Sequence, residues 1–126
     1  MKKEKFHIEY IFEKISQNSL WNRLATPNGL AEWFADSVTN EGKIFSFYWE
    51  DYLSEAELIE INPPFYVRFR WLEEDTATYF EFKLHKVELI GSLMLEITDF
   101  AEEDEKEEAI ILWNTQIKTL KRKVGL

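Results

Sequence analysis

The residue types able to do chemistry are few and scattered. His7 and His85 are the only imidazoles, and cysteine is absent, which removes disulfides and thiolate chemistry. His7-Ile8-Glu9 puts two potential ligands on one strand face. A metal centre generally takes three or four convergent ligands, and no further cluster accompanies this pair, so surface histidines are the expected reading. His85 falls where a β-bulge is expected, and bulges re-aim side chains; a satisfied or solvent-facing histidine is still the favoured assignment. Asp99 and Glu96 share the last expected strand, and a carboxylate at a pocket mouth works as acid or base when burial raises its pKa. Asp99 serves as readily in the entry to the final helix, and Glu96 faces outward by alternation. The acidic run from Glu102 to Glu108 lacks the alternating ligands and central glycine of a calcium loop. Ser16, Ser46 and Ser92 have no histidine placed to complete a triad. With only four glycines, no phosphate-binding loop or nucleotide fingerprint is built. Arg68 and Arg70 could recognise an anion, but Glu57 and Glu81 are available to neutralise them, which favours surface ion pairs. The residues therefore assign no catalytic group, metal or cofactor, and an enzyme is the less favoured class.

What must position these groups is a single domain spanning 1–126. A chain of 126 residues suits one core. Its 45% hydrophobic and 16% aromatic content, with five Trp and ten Phe, argues against disorder. Rings that each bury ~150–250 Å² are generous filling for so small a domain, so some are candidates to line a cavity. The net charge of −9 disfavours nucleic acid and anionic membrane surfaces. No segment approaches the ~20 apolar residues of a membrane span. The basic start, Met1-Lys2-Lys3-Glu4-Lys5, leads into alternating residues with no apolar run of signal-peptide length. A soluble cytoplasmic protein is expected.

The period along the chain gives the elements. Phe6, Ile8, Tyr10 and Phe12 alternate with His7, Glu9, Ile11 and Glu13 as a half-buried strand. Ser16 caps a short helix carrying Leu20, Trp21 and Leu24. Asn28-Gly29 alone suggests a hairpin, but Thr26 as N-cap with Pro27 at the first helical position predicts a second short helix. It carries Leu30, Trp33 and Phe34 and ends near Ala35-Asp36. From Ser37 to Phe100 the period is two. Gly42 centres a hairpin with Phe45, Phe47 and Trp49 on one face, and Asn62-Pro63-Pro64 turns Glu55–Ile61 into Tyr66–Leu72. Setting Ile61 opposite Tyr66 places Leu58 against Phe69 and Ala56 against Trp71 inside, with Glu57 opposite Arg70 outside. Phe80, Phe82 and Leu84 alternate inward, then the apolar parity slips to Val87 and Leu89, which predicts a bulge near His85-Lys86. Gly91-Ser92 leads into Leu93, Leu95 and Ile97. Finally Ile110, Trp113, Asn114, Ile117, Leu120 and Val124 recur at helical spacing. Acids at the start and bases at the end suit the helix dipole. Outer-face Tyr48, Tyr66, Ile59 and Ile61 form a patch only if strand order brings them together.

This order is similar to that of the START-like, or SRPBCC, superfamily, and within it to proteins related to the activator of the heat-shock-protein-ninety ATPase. The segment Leu24-Ala25-Thr26-Pro27-Asn28-Gly29-Leu30-Ala31-Glu32-Trp33-Phe34-Ala35-Asp36 carries the resemblance, with Phe47-Tyr48-Trp49, Tyr66 to Trp71 and the late Trp113. The resemblance implies an α+β helix-grip fold: a strand, two short helices, a six-stranded antiparallel sheet, and a long C-terminal helix packed on the concave face. It also implies a cavity between sheet and helix. By parity the ligand-binding residues are Trp33, Phe34, Phe47, Trp49, Phe69, Trp71, Phe80, Phe82, Leu95, Trp113, Asn114 and Ile117, and Phe45 shares their face. An aromatic stripe at strand spacing is more often plain core, so the same rings could fill the space. The leading reading is a non-enzymatic binder of a small apolar molecule, oriented by polar groups such as Tyr10 or Asn114. The alternatives are a co-chaperone-like interaction module, with a homodimer or protein partner, and an enzyme on an aromatic or polyketide-like compound.

Overall fold

In the computed structural model, which describes residues 2–74, 76–87 and 91–126, the first strand, β1 (Glu4–Phe12), enters the same sheet as the later ones. Helices α1 (Gln17–Ala25) and α2 (Pro27–Leu30) follow. Then come β2 (Ser37–Glu41), β3 (Ile44–Trp49), β4 (Tyr52–Asn62), β5 (Tyr66–Trp71), β6 (Phe80–Val87) and β7 (Ser92–Ala101). A 3-10 turn at Glu103–Glu105 opens α3 (Lys106–Lys123). The strands form one seven-stranded antiparallel sheet in the order β1-β7-β6-β5-β4-β3-β2. The expected six strands are thus joined by β1, which lies against β7 rather than apart.

The short helices form for local reasons. Ser16 Oγ accepts the Ser19 amide at the start of α1, and Thr26 Oγ1 accepts the Gly29 amide at the start of α2, each satisfying a donor that the first helical turn leaves open. Gly29 is where the two helices meet: a Cβ there would lie 1.9 Å from the Asn22 carbonyl oxygen. Thr26, Pro27 and Gly29 are therefore one device, a tight corner between helices, and not the hairpin that Asn28-Gly29 suggests alone. The helix at Pro27 is shorter than expected and stops at Leu30; the chain continues in turns through Trp33 and Phe34.

Sheet parity follows the sequence pattern over most of its length. Ala56, Glu57 and Leu58 pair with Trp71, Arg70 and Phe69 as the hydrophobic register requires. Beyond Leu58 the pairing steps by one, so that Ile61 meets Val67 and Asn62 meets Tyr66. The sheet's irregularity is therefore in β4, whereas β6 pairs β7 without a slip from Glu81–Thr98 to Val87–Ser92. The bulge expected at His85-Lys86 is absent there, and Leu89, which suggested it, lies outside the described residues. The concave face carries Phe45, Phe47, Val67, Phe69, Phe80, Phe82, Leu95 and Ile97, all buried. Helix α3 lays Trp113, Ile117 and Leu120 onto this face, and the acidic start and Lys121-Arg122-Lys123 end complement its dipole.

Candidate functional site

The concave face is not evenly filled. Its middle is closed by rings: Phe47, Phe69, Phe80 and Phe82 are fully buried, and Leu95 and Ile117 pack with them. Toward one end of the sheet, beneath the first turns of α3, the packing stops short and leaves a pocket of about 420 Å³. Its walls are Phe34, Trp49, Tyr52, Trp71, Asp99, Ala109, Leu112, Trp113 and Gln116. Leu112 and Tyr52 stand at the rim, 59% and 55% exposed.

Each wall has a structural reason. Trp49 and Tyr52 end β3 and begin β4, and their rings stack at 5.7 Å across the connecting turn. Trp71 closes β5. Ala109, Leu112, Trp113 and Gln116 recur at three- and four-residue steps, so one stripe of α3 supplies the roof. Phe34 ties these parts together. Its ring lies 5.2–6.3 Å from those of Trp33, Phe47, Trp49, Trp71, Phe80, Phe82 and Trp113. Its carbonyl oxygen accepts both Trp49 Nε1 and Gln116 Nε2 at 3.1 Å.

Asp99 is the polar feature of the wall. It shares the concave face with Ile97 by alternation, and its carboxylate sits beneath Trp113. Oδ1 accepts the Phe100 amide at 2.8 Å and Oδ2 accepts Trp113 Nε1 at 2.9 Å. Burial pushes its carboxyl above the ordinary carboxylate value, with those two hydrogen bonds and the Lys3 charge pulling the other way. Asp99 and Trp71 also border a second, smaller cleft of about 210 Å³ with Lys3, Glu74, Thr78, Tyr79 and Phe100. The two hollows meet along that pair of residues.

Of the residues expected to bind a ligand, the structure brings Phe34, Trp49, Trp71 and Trp113 to the pocket. Trp33 lines an adjoining groove on the outer side of Phe34, where its indole donates to the Arg23 carbonyl at 2.7 Å. Phe47, Phe69, Phe80, Phe82, Leu95 and Ile117 lie in the closed middle, behind the pocket wall. Asn114 is exposed and accepts the Tyr10 hydroxyl at 2.6 Å, pinning α3 to β1 away from the pocket. Sequence reasoning missed Tyr52, Ala109, Leu112 and Gln116. The helical period alone could have named the last three, since they flank Trp113 on its own stripe.

The remaining charged candidates on the strands resolve into ion pairs and hydrogen bonds on the convex face, with Glu81 alone among them buried. His7 and His85 both reach Glu96 from neighbouring strands, at 3.3 Å and 2.9 Å, on the convex face. Arg70 pairs with Glu57 at 2.9 Å and Arg68 with Glu81 at 3.0 Å, and Arg68 lies 4.1 Å over the Tyr79 ring. Glu102, Asp104 and Glu105 bring one carboxylate oxygen each within 4.8 Å of one another, at the chain's turn into α3. The latter two are exposed, as a solvated acidic start should be.

A sheet gripping a terminal helix, with a hollow under the helix's first turns, fits one family, and its domain model matches residues 1–126. The chain belongs to the START-like superfamily. A Bacteroides fragilis protein solved by solution NMR is 41% identical, with 100% of this chain and 94% of that one covered and a TM-score of 0.71. The Aha1 dimer from Colwellia psychrerythraea is 18% identical, covering 96% and 94%, with a TM-score of 0.74. CalU16 from Micromonospora echinospora is 17% identical, covering 96% and 74%, also at 0.74. The last two share the fold alone. No curated protein matches the chain significantly. Among the described residues no helix is long and apolar enough to cross a membrane.

Proposed function

We propose that this START-like protein binds a small, largely apolar molecule in the pocket beneath the first half of α3. The observation that carries the reading is a hollow of about 420 Å³ walled by Phe34, Trp49, Trp71 and Trp113, a size and lining suited to one drug-sized ligand. The rings give affinity through area removed from water, and because the concave middle is already packed, the ligand adds to the core without replacing any of it. The partner is a small molecule; the −9 net charge argues against nucleic acid. The test is native mass spectrometry of the protein purified from its host, beside an Ala109→Trp variant that plugs the pocket. An added mass on the wild type and none on a folded Ala109→Trp protein supports the reading. A bare wild type that also ignores added apolar probes removes it.

A self-association surface is the second reading. Tyr48 and Leu53 face each other in register on the convex side and are 39% and 50% exposed, and the structural neighbour Aha1 is described as a dimer. Light scattering behind size exclusion, repeated with Leu53→Glu, decides it: a dimer that the charge dissociates supports the surface, and a monomer throughout discards it.

A further inference from the structure

The pocket has a chemical bias that its apolar walls do not dictate. Most of its hydrogen-bond donors are engaged inside the protein. Trp49 Nε1 and Gln116 Nε2 both donate to the Phe34 carbonyl, Trp113 Nε1 donates to Asp99, and the Tyr52 hydroxyl donates to Glu73 at 3.2 Å. Acceptor capacity remains at Asp99. Asp99 takes one hydrogen bond at each oxygen, while an ionised carboxylate offers about four lone-pair sites.

Charge points the same way. The donors to Asp99 are an indole and a backbone amide, both neutral. Lys3, whose charge acts on Asp99, is itself held 2.7 Å from Glu74, so much of its field is cancelled. Glu73 brings a second negative group to the rim through Tyr52, and it also receives the Ser54 hydroxyl at 2.7 Å.

A ligand that fills the hollow deepens the burial of Asp99, and its chemistry then decides the energy. An anion would meet the carboxylate directly. A neutral molecule would leave a charge under an apolar lid with only neutral donors, which is costly. A protonated amine neutralises it and forms a charge-assisted hydrogen bond. We propose that the ligand is an organic cation: a ring-sized apolar body carrying an amine that Asp99 receives. This rests on the pocket reading above and goes beyond it in naming the ligand's charge.

The test compares three probes of nearly equal shape by isothermal titration with the full chain at neutral pH: 1-naphthylmethylammonium, 1-naphthalenemethanol and 1-naphthoate. The ammonium is expected to bind at least about tenfold tighter than the alcohol, and the naphthoate most weakly. In Asp99→Asn the ammonium should lose its advantage over the alcohol, while the alcohol, which no longer covers a charge, should bind at least as tightly as it does to the wild type. On the wild type, the Trp113 indole N–H resonance should move further with the ammonium than with the alcohol, because that proton is bonded to the carboxylate being neutralised; this readout does not depend on the variant folding. Alcohol binding as tight as ammonium overturns the cation inference and leaves the pocket reading standing. An ammonium preference unchanged in Asp99→Asn assigns it to the acidic surface at large and also overturns the inference. Failure of all three probes to bind overturns both.

Discussion

Phe34→Ala is the perturbation that best separates core from cavity. Phe34 is 5% exposed and sits at the centre of the aromatic cluster, with its ring 5.2 Å from Phe47 and 5.5 Å from Trp33. A buried phenylalanine removes ~150–250 Å² from water, which at ~25 cal/mol per Å² is ~4–6 kcal/mol as an upper estimate. Phe→Ala substitutions in cores typically cost ~3–5 kcal/mol. The new space would join the existing pocket, where solvent can enter, so the lower half of that range is expected. The Phe34 carbonyl remains, so its bonds from Trp49 and Gln116 do not add to the loss. A domain of this kind holds about 5–15 kcal/mol in all, so the variant should still fold with its urea midpoint strongly lowered and its m-value unchanged. A loss below about 1 kcal/mol would refute the reasoning, because it would mean that the rings around Phe34 do not act as one packed cluster.

Leu112→Ala, at an exposed rim position, should change stability by no more than about 0.5 kcal/mol yet weaken an apolar probe roughly fivefold; calorimetry on both variants checks the contrast. Gly29→Ala would drive a Cβ to 1.9 Å from the Asn22 carbonyl oxygen and 2.6 Å from Arg23 Cα, backbone on both counts, and should lower Tm by roughly 10 °C or more; an unchanged melt would show that α1 and α2 do not meet as described. Asp99 gives a pH signature. Its folded carboxyl lies above the ordinary 3.8, so the folded state holds the proton more tightly than the unfolded chain does. Its ionisation therefore costs stability at neutral pH, and that cost is lifted as pH falls through the raised folded value. Relative to Asp99→Asn, which cannot titrate there, the wild type should gain stability on mild acidification; paired urea titrations showing it losing ground instead would contradict the assignment.

The fold was largely legible because its signals are local and periodic. Ser16 and Thr26 announce their helices, the two-residue alternation names the buried face of each strand, and the Trp113–Ile117–Leu120 stripe names the face of α3. Glu57 opposite Arg70 follows from hydrophobic register alone. The bulge in β4 was not legible, because Leu58-Ile59-Glu60-Ile61 reads as one alternation and only the pairing of Ile61 with Val67 exposes the step. The site was half legible for a related reason. Parity tells which side chains face the helix, so Trp49, Trp71 and Phe80 appear equivalent, but it does not tell how far along the strand the helix covers them. Trp49 and Trp71 border a hollow, whereas Phe80, although it opens its strand, and Phe82 sit under the closed middle. Asp99 shows the same limit: alternation with Ile97 puts it on the concave face, but only its hydrogen bond from Trp113 places it in the wall.

The pocket itself is tested most directly by the indole N–H resonances of the five tryptophans in a titration with 1-naphthalenemethanol. Trp49, Trp71 and Trp113 line the hollow, while Trp21 is buried on α1 elsewhere. Saturable shifts at the first three with Trp21 unmoved are the expected result. If Trp21 moves as far as they do, or all stay still at saturating probe, apolar binding beneath α3 is contradicted.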